Sequence, residues 1–264
     1  MHTRTNTVKI GQTLIGDGHF ALIAGPCSIE NKEILSETSK SVQNSGANLL
    51  RGGIFKLRTS PNSFQGLGSE AFEAVRLAKE ETGLPFISEV TDPRQISDLM
   101  PLLDAFQVGS RNMHNYELLK ELGKTDKPII LKRGFSGLIK EWILAAEYIT
   151  SAGNDQVILC ERGIRTFETA TRNTFDINAI AYVKENCSFP IIADPSHGTG
   201  KTSLVKPISL AAIAAGADGL MIEVHPQPAQ ALSDGFQTLN FNEFQSLVHH
   251  VKQMLPLFSK TLEA

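Results

Sequence analysis

Short apolar runs alternate along the chain with longer stretches in which apolar residues recur at helical spacing. The apolar runs, which predict strands, cover 20–25, 48–53, 85–90, 105–110, 128–133, 156–162, 190–196 and 219–225. The stretches that predict helices lie near 32–44, 69–81, 93–103, 115–122, 137–151, 175–186, 203–215 and 240–257. Eight such strand–helix units in one chain predict an α/β fold, a closed (β/α)8 TIM barrel.

An open, doubly wound sheet is the alternative fold. No GxGxxG motif follows the first strand, which argues against the dinucleotide-binding version of that sheet. Ahead of the barrel, the segment "TVKIGQTLIGDG" alternates in polarity and turns at Gly11–Gln12. We therefore expect residues 1–19 to form a β-hairpin that closes the bottom of the barrel. No linker-like tract divides the chain, so residues 1–264 are expected to form a single barrel domain.

Composition narrows the class of protein. The 264 residues are 41% hydrophobic and 20% charged, as in a soluble globular protein with a large core. The net charge of −3 gives no general nucleic-acid or membrane signature. No apolar run reaches the roughly 20 residues of a membrane span, and the polar N-terminus does not resemble a signal peptide. Three widely spaced cysteines do not form a disulfide framework, so a cytoplasmic location is expected.

Charged and metal-ligating residue types follow nearly every predicted strand. In a barrel of this kind the carboxyl ends of the strands share one face, where chemistry takes place. We therefore expect these side chains to meet there. They are Cys27, Arg51, Lys56, Glu89, Arg111, Lys132, Arg133, Arg162, Arg165, Asp194, His197, Glu223 and His225.

One subset has the chemistry of a metal site: Cys27, His197 and Glu223, with Asp234 in the loop after the last strand. A thiolate, an imidazole and two carboxylates suit a divalent transition ion such as Mn, Fe, Co or Zn. Their spacing is not that of a zinc finger, so this interpretation depends on the fold. Cys27 could instead be a small buried hydrophobe, and His197 a loop-capping residue.

A second subset is cationic and predicts a small polyanionic ligand, because arginine pairs with phosphate and carboxylate oxygens and lysine supplies a point charge. For one or two of its members, a solvated ion pair at the rim is the alternative. The set comprises Arg51, Lys56, Arg58, Arg111, Lys132 and Arg162, with Arg133 and Arg165 as further candidates.

The segment "PSHGTGKTS" resembles a nucleotide-binding P-loop because of Gly200, Lys201 and Thr202. That motif requires a glycine where this chain has Pro195, and its place after the seventh barrel strand is also wrong. We therefore do not expect ATP binding.

Several motifs resemble those of a known family. They are "AGPCSIE", "RGGIFKLRTSPNSFQGLG", "QVGSRNM", "LKRGFS", "ILCERGIRTFE", "ADPSHGTG" and "MIEVHPQPAQALSDG". In this order they resemble the 3-deoxy-D-arabino-heptulosonate 7-phosphate (DAHP) synthases, in the compact barrel subfamily that also includes 3-deoxy-D-manno-octulosonate 8-phosphate synthase. The resemblance extends from about residue 7 to 257. It implies a metal-dependent transferase that condenses phosphoenolpyruvate with erythrose 4-phosphate and releases phosphate, at the entry to the shikimate pathway and aromatic amino acid synthesis.

The resemblance also implies roles for individual residues. The metal ligands would be Cys27, His197, Glu223 and Asp234, and Lys132, Cys27 and His197 would take part in catalysis. The family's phosphoenolpyruvate site matches Arg51, Lys56, Ser110, Arg111, Lys132 and Arg162. Its aldose-phosphate loop matches "KLRTS", which assigns the aldose phosphate to Arg58 and Thr59.

The sequence departs from the family at three positions. Leu57 replaces a proline, Asn62 replaces a tyrosine common in close members, and Phe236 replaces a usual proline. Loss of the fixed proline φ at Leu57 would loosen the aldose loop. The departures concern the choice of aldose and leave the predicted metal and phosphoenolpyruvate residues unchanged.

Three alternatives remain open at this point. An octulosonate synthase would use arabinose 5-phosphate and carry an asparagine-containing loop in place of "KLRTS". A metal-dependent aldolase would turn over pyruvate and an aldehyde without releasing phosphate, and a non-catalytic barrel subunit would bind metal without turnover. The resemblance also implies a homo-oligomer, either a dimer or a tetramer. Without a separate regulatory domain, we expect no inhibition of this chain alone by Phe, Tyr or Trp.

Overall fold

The computed structural model describes residues 5–263. Within them, a short antiparallel hairpin precedes eight parallel strands that close into a barrel. The hairpin strands are β1 (Val8–Ile10) and β2 (Thr13–Ile15). The barrel strands are β3 (Ala21–Gly25), β4 (Leu49–Arg51), β5 (Phe86–Val90), β6 (Ala105–Val108), β7 (Ile129–Lys132), β8 (Val157–Glu161), β9 (Ile191–Ala193) and β10 (Gly219–Glu223). They pair in chain order, and β10 closes the barrel against β3.

Helices follow the barrel strands, as predicted. They are α1 (Lys32–Ser45), α2 (Ala71–Thr82), α3 (Ile96–Leu99), α4 (Tyr116–Gly123), α5 (Ile139–Ser151), α6 (Ile177–Asn186), α7 (Pro195–Thr199), α8 (Thr202–Ala214) and α9 (Phe241–Met254). The predicted TIM barrel is therefore confirmed. The helix predicted over 93–103 is shorter: Pro93–Gln95 forms a 3₁₀ turn capped by Asp92, and the α-helical part ends at Leu99, before Pro101. Among the described residues, no helix is both long and apolar enough to cross a membrane.

The hairpin closes the amino-terminal end of the barrel. Its buried Val8, Ile10 and Ile15 join the apolar cluster inside the barrel. The neighbouring Gly11 and Gly16 lie against Pro85 and Pro190, which immediately precede β5 and β9. The predicted hairpin is thus confirmed over the described residues. Residues 1–4 and 264, which the domain prediction also includes, lie outside them.

A buried carboxylate ties the same end of the barrel together. Asp218, fully buried just before β10, accepts hydrogen bonds from Lys184 Nζ at 2.9 Å, Lys260 Nζ at 2.8 Å and the Ile191 amide at 3.0 Å. It therefore joins helix α6, the C-terminal segment and the start of β9. Because removal of one partner from a buried ion pair leaves an uncompensated charge, this cluster should be sensitive to substitution.

We expect the substitution Asp218→Ala to lower the free energy of unfolding by about 3–5 kcal/mol, because it leaves buried Lys260 without its carboxylate. Urea unfolding followed by fluorescence of Trp142, the only tryptophan, measures the change. The exposed Asp98 on α3 provides the control, and Asp98→Ala should change stability by less than about 0.5 kcal/mol. Equal losses in the two variants would contradict this assignment.

Candidate active site

A cavity of about 270 Å³ opens at the carboxyl ends of the barrel strands. Most of the predicted site residues line it: Lys56, Arg58, Thr59, Ser110, Arg111, Lys132, Arg162, His197 and Asp234. Cys27, Arg51 and Glu223 are buried beside this cavity. Cys27 contacts Lys56 and Glu223 contacts His197, both of which line the cavity, and Arg51 contacts Glu223. The predicted side chains therefore lie together at the carboxyl ends of the strands. Their position alone does not define the chemistry that they perform.

Cys27, His197, Glu223 and Asp234 form a compact cluster of possible metal ligands. One donor atom of each lies within 4.8 Å of the donor atoms of the others. His197 Nε2 is 3.2 Å from Glu223 Oε1 and 3.8 Å from Asp234 Oδ2, and Cys27 Sγ is 3.2 Å from Asp234 Oδ2. Donors bound at about 2.0–2.3 Å around one ion have spacings of roughly this size. The cluster therefore fits one divalent transition ion.

The end of strand β3 brings Cys27 into this cluster. The strand ends at Gly25, whose φ of +151° and close approach to the Arg51 carbonyl exclude a side chain. Cys27 Sγ lies 2.9 Å from Lys56 Nζ. Burial raises the pKa of the Cys27 thiol to about 12, and the charge of Glu223 adds to this effect. The thiol therefore keeps its proton at neutral pH unless a cation stabilises the thiolate.

His197 is oriented by the residue that begins its helix. Asp194 caps α7, accepting from the His197 backbone N–H at 3.0 Å, and its Oδ2 lies 2.8 Å from His197 Nδ1. Because a carboxylate only accepts, Nδ1 carries the proton and Nε2 presents its lone pair to the cluster. Burial lowers the pKa of His197 despite the charge of Asp194. A neutral, oriented imidazole of this kind is suited to metal binding.

Glu223 and Asp234 are both held in their ionised forms. Burial raises the pKa of Glu223, but its interactions with His197 and Arg51 outweigh burial and leave this pKa below its ordinary value. Burial also raises the pKa of Asp234, but its interactions with His197 and Arg172 outweigh burial and leave this pKa below its ordinary value. Two carboxylates that stay charged at neutral pH give the cluster its attraction for a cation.

Arg51 lies behind the metal cluster and outside the cavity lining. Its Nη1 donates to Glu223 Oε1 at 3.0 Å, and its Nη2 donates to the Cys27 carbonyl at 3.3 Å. Gln237 Nε2 donates to the other oxygen of Glu223 at 2.6 Å. The Arg51 Nε is buried and has no hydrogen-bond partner among the described residues, so the guanidinium keeps a free donor while it holds Glu223.

Lys132 connects the cavity to the metal cluster. Its Nζ lies 2.6 Å from Asp194 Oδ2, and this oxygen also faces His197 Nδ1. Burial raises the pKa of Asp194, but its interactions with His197 and Lys132 outweigh burial and hold this pKa well below its ordinary value. Asp194 is therefore an anion between a cavity lysine and a candidate metal ligand.

Arg162 and Arg111 have spare hydrogen-bond donors in the cavity. Arg162 is 2% exposed and donates only to carbonyls, at Gly163 and His197, while Arg111 donates to Thr59 Oγ1. Among the described residues, no carboxylate lies within ion-pair distance of either guanidinium. Burial lowers the pKa of Arg162 to about 10. Unpaired cations at the end of a barrel form a site for an anion.

Three further residues of the strand-end set also lie outside the cavity lining. Arg133 donates to Glu161 and Asp176 at 2.9 Å each and is buried. Buried His225 lies 3.6 Å from Glu30. Arg165, the remaining further cation candidate, is exposed and stacks on Phe135 at the edge of the site.

The sequence model of the DAHP synthetase I family matches residues 3–259. The chain belongs to the DAHP synthetase I family. A phospho-2-dehydro-3-deoxyheptonate aldolase of Thermotoga maritima is 46% identical over 253 residues, which cover 96% of this chain and 75% of the relative. The solved truncated form of 3-deoxy-D-arabino-heptulosonate 7-phosphate synthase from Thermotoga maritima superposes with a TM-score of 0.92 at 42% identity, covering 98% of this chain and 95% of that one.

Relatives named for the octulosonate activity also match this chain. A 2-dehydro-3-deoxyphosphooctonate aldolase of Syntrophotalea carbinolica is 29% identical, covering 96% of each chain. The resemblance drawn from the motifs is therefore confirmed at the level of the family, and the higher identity lies on the heptulosonate side.

Sequence reasoning missed several residues of this DAHP synthetase family site. Phe135 and Arg172 line the cavity, and Arg172 Nη1 lies 3.4 Å from Asp234 Oδ1 and 2.7 Å from Gln237 Oε1. Gln237 in turn donates to Glu223. Arg172 lies in the long loop between β8 and α6, Gln237 lies in a 3₁₀ turn well after β10, and Phe135 lies three residues beyond β7. Phe135 lies in the quoted motif "LKRGFS". The sequence analysis selected charged and metal-ligating residue types, and phenylalanine is neither.

Proposed function

We infer that this chain catalyses the condensation of phosphoenolpyruvate with erythrose 4-phosphate to 3-deoxy-D-arabino-heptulosonate 7-phosphate and phosphate, the first step of the shikimate pathway. Family membership supports this reaction. The observation that carries it is that a cluster of four possible metal ligands lies at the same cavity as arginines that have no carboxylate partner among the described residues. Two substrates bearing three anionic groups need such a concentration of positive charge to approach each other.

A divalent transition ion, with Mn, Fe, Co and Zn as candidates, would be held by Cys27, His197, Glu223 and Asp234. When bound, it supplies Lewis-acid polarisation of a substrate oxygen. The oriented imidazole of His197 and the ionised Glu223 support this ligand set. Arg51 and Gln237 hold the Glu223 carboxylate in place through 3.0 Å and 2.6 Å hydrogen bonds.

Phosphoenolpyruvate would lie across the cations of the cavity. Its carboxylate and phosphate need several donors that are fixed before binding, and Arg162, Arg111, Lys132, Lys56 and Ser110 provide them. Arg51 belongs to the same predicted set. It would act indirectly, by holding Glu223 through a hydrogen bond. Lys132 Nζ, poised against Asp194, would donate a proton or stabilise negative charge at the reacting carbons.

The aldose phosphate would bind at the "KLRTS" loop. Arg58 and Thr59 line the cavity, and Arg111 Nη2 donates to Thr59 Oγ1 at 3.0 Å. This hydrogen bond joins the proposed aldose loop to the proposed phosphoenolpyruvate site. Leu57, which replaces the family proline, also lines the cavity and is 37% exposed.

Replacement of Arg58 by alanine is expected to raise the KM for erythrose 4-phosphate by about tenfold to a hundredfold, the usual loss for one charge-assisted hydrogen bond. The KM for phosphoenolpyruvate should change much less. Initial rates with each substrate varied in turn measure both constants. Arg76→Ala, an exposed arginine on α2, is the control. An equal rise in both constants would argue against separate anion sites.

The choice of aldose is tested by product analysis. Phosphoenolpyruvate is supplied with erythrose 4-phosphate or with arabinose 5-phosphate, and the product mass and phosphate release are recorded. We expect the seven-carbon product at a rate far above that of the eight-carbon product. Preference for arabinose 5-phosphate would assign the sister activity, and pyruvate consumption without phosphate release would assign an aldolase.

We further propose a cytoplasmic homo-oligomer, a dimer or a tetramer, working on these two small substrates without nucleic acid or membrane partners. The resemblance to the family supports this state. Sedimentation of the purified chain measures its mass in solution, and a monomer at assay concentration would contradict it.

A further inference from the structure

A single aromatic ring contacts several of the cations at the mouth of the cavity. The guanidinium carbons of Arg111, Arg162 and Arg165 lie 5.1, 4.8 and 4.6 Å from the centre of the Phe135 ring. These are cation–π distances, at which the negative face of the ring attracts a guanidinium. No role in the proposed reaction has so far been given to Phe135.

The backbone that carries this ring is tightly held. The turn from Gly134 to Gly137 closes through the Gly137 N–H and the Gly134 carbonyl at 3.2 Å. It packs on buried Met113, which lies so near Gly137 that a Cβ there would be 2.6 Å from the methionine methyl. On the other side, the Arg165 N–H donates to the Phe135 carbonyl at 2.7 Å. The backbone that places the ring is therefore held before any substrate binds.

Arg111 and Arg162, which lie beside the ring, have no carboxylate partner among the described residues, whereas two other arginines of the site do. Arg51 and Arg133 are held by carboxylates at 3.0 and 2.9 Å. Arg162 donates only to carbonyls, and Arg111 to one hydroxyl. Like charges gathered in this way repel one another, and a carboxylate placed among them would neutralise the charge needed by the substrate. An aromatic face attracts guanidinium groups without cancelling their charge.

We propose that Phe135 is a positioning residue for the reaction: its ring holds Arg111 and Arg162 in the arrangement that binds the anionic groups of phosphoenolpyruvate. Arg165 covers the same ring from the exposed side of the site. The role of Phe135 is to pre-order the arginines, so that less conformational freedom is lost when the substrate binds. This inference rests on the proposed function for the identity of the anion.

The test compares Phe135→Leu, which keeps apolar bulk but removes the π face, with Phe135→Tyr, which keeps the face. Binding of phosphoenolpyruvate to the metal-loaded protein is measured by calorimetry without aldose, and steady-state constants are measured with both substrates. We expect the leucine variant to bind phosphoenolpyruvate about tenfold more weakly. The tyrosine variant should bind within about threefold of the parent chain.

Further readouts separate positioning from packing. For Phe135→Leu we expect unchanged metal content, an unchanged urea midpoint and a KM for erythrose 4-phosphate within about twofold of the parent value. Phe167→Leu is the matched control, since Phe167 lies in the next loop along the chain, between β8 and α6, and is 98% exposed. Parent-like phosphoenolpyruvate binding in Phe135→Leu would overturn the proposal. Equal weakening in the leucine and tyrosine variants, with a matching loss of stability, would also overturn it.

These outcomes are separable from the proposed function. If the parent chain binds phosphoenolpyruvate but forms no heptulosonate phosphate, the proposed reaction fails. The binding comparison between the leucine and tyrosine variants would still decide the role of the ring.

Discussion

Replacement of Cys27 by alanine is expected to remove the bound divalent ion and to lower kcat by about 10³-fold or more, the equivalent of several kcal/mol of lost metal catalysis. Cys27 is the proposed sulfur donor, and its Sγ lies 3.2 Å from Asp234 Oδ2. Without it, the three remaining donors would bind the ion weakly. Metal content by mass spectrometry and turnover, measured on the same preparation, check the result.

The chain offers a matched control for this variant. Cys187, half-buried after α6 and far from the cavity lining, should tolerate alanine with full metal content and activity. A metal-replete and active Cys27→Ala would remove the thiolate from the ligand set. The cluster would then have to work through its imidazole and carboxylates.

Replacement of Lys132 by methionine is expected to lower kcat by about 10²–10⁴-fold, the usual range for loss of a positioned proton donor. Methionine preserves most of the stem volume, and it removes the 2.6 Å contact with Asp194. Asp194 keeps its bond to His197, so the metal should remain bound. Pre-steady-state phosphate release and metal content separate loss of chemistry from loss of the ion.

Lys201→Met is the control for this change. Lys201 is exposed, just beyond the α7 segment that carries His197. It should behave like the parent chain in both assays. If Lys132→Met kept full kcat and only raised the KM for phosphoenolpyruvate, Lys132 would be an anion-binding residue and not a proton donor.

Much of the barrel could be read from the sequence because buried parallel strands are continuous apolar runs. The run at 156–162, for example, becomes β8 over Val157–Glu161. The candidate site was predicted from the residues that follow these strands. Residues as distant as Cys27 and Asp234 meet because the strands end on one face of the barrel. The helix predicted over 93–103 was too long, because hydrophobic spacing does not register the stop imposed by Pro101.

The remainder of the site depends on side-chain direction, which a one-dimensional pattern does not contain. Arg133 directly follows Lys132, and the two side chains diverge: Lys132 reaches the cavity, whereas Arg133 pairs with Glu161 and Asp176. Arg172 reaches the cavity from within the long loop between β8 and α6. Neither outcome follows from spacing, because each depends on which partner is close in three dimensions.

Condensation of phosphoenolpyruvate with erythrose 4-phosphate at one metal-dependent site is tested most directly by phosphate release. The release is measured on exhaustively chelated protein, before and after a divalent transition ion is restored. We expect a rate at least about 10³-fold lower in the metal-free protein. Addition of the ion should recover the rate with erythrose 4-phosphate. Undiminished phosphate release, with absence of metal confirmed on the same sample, would contradict this metal dependence.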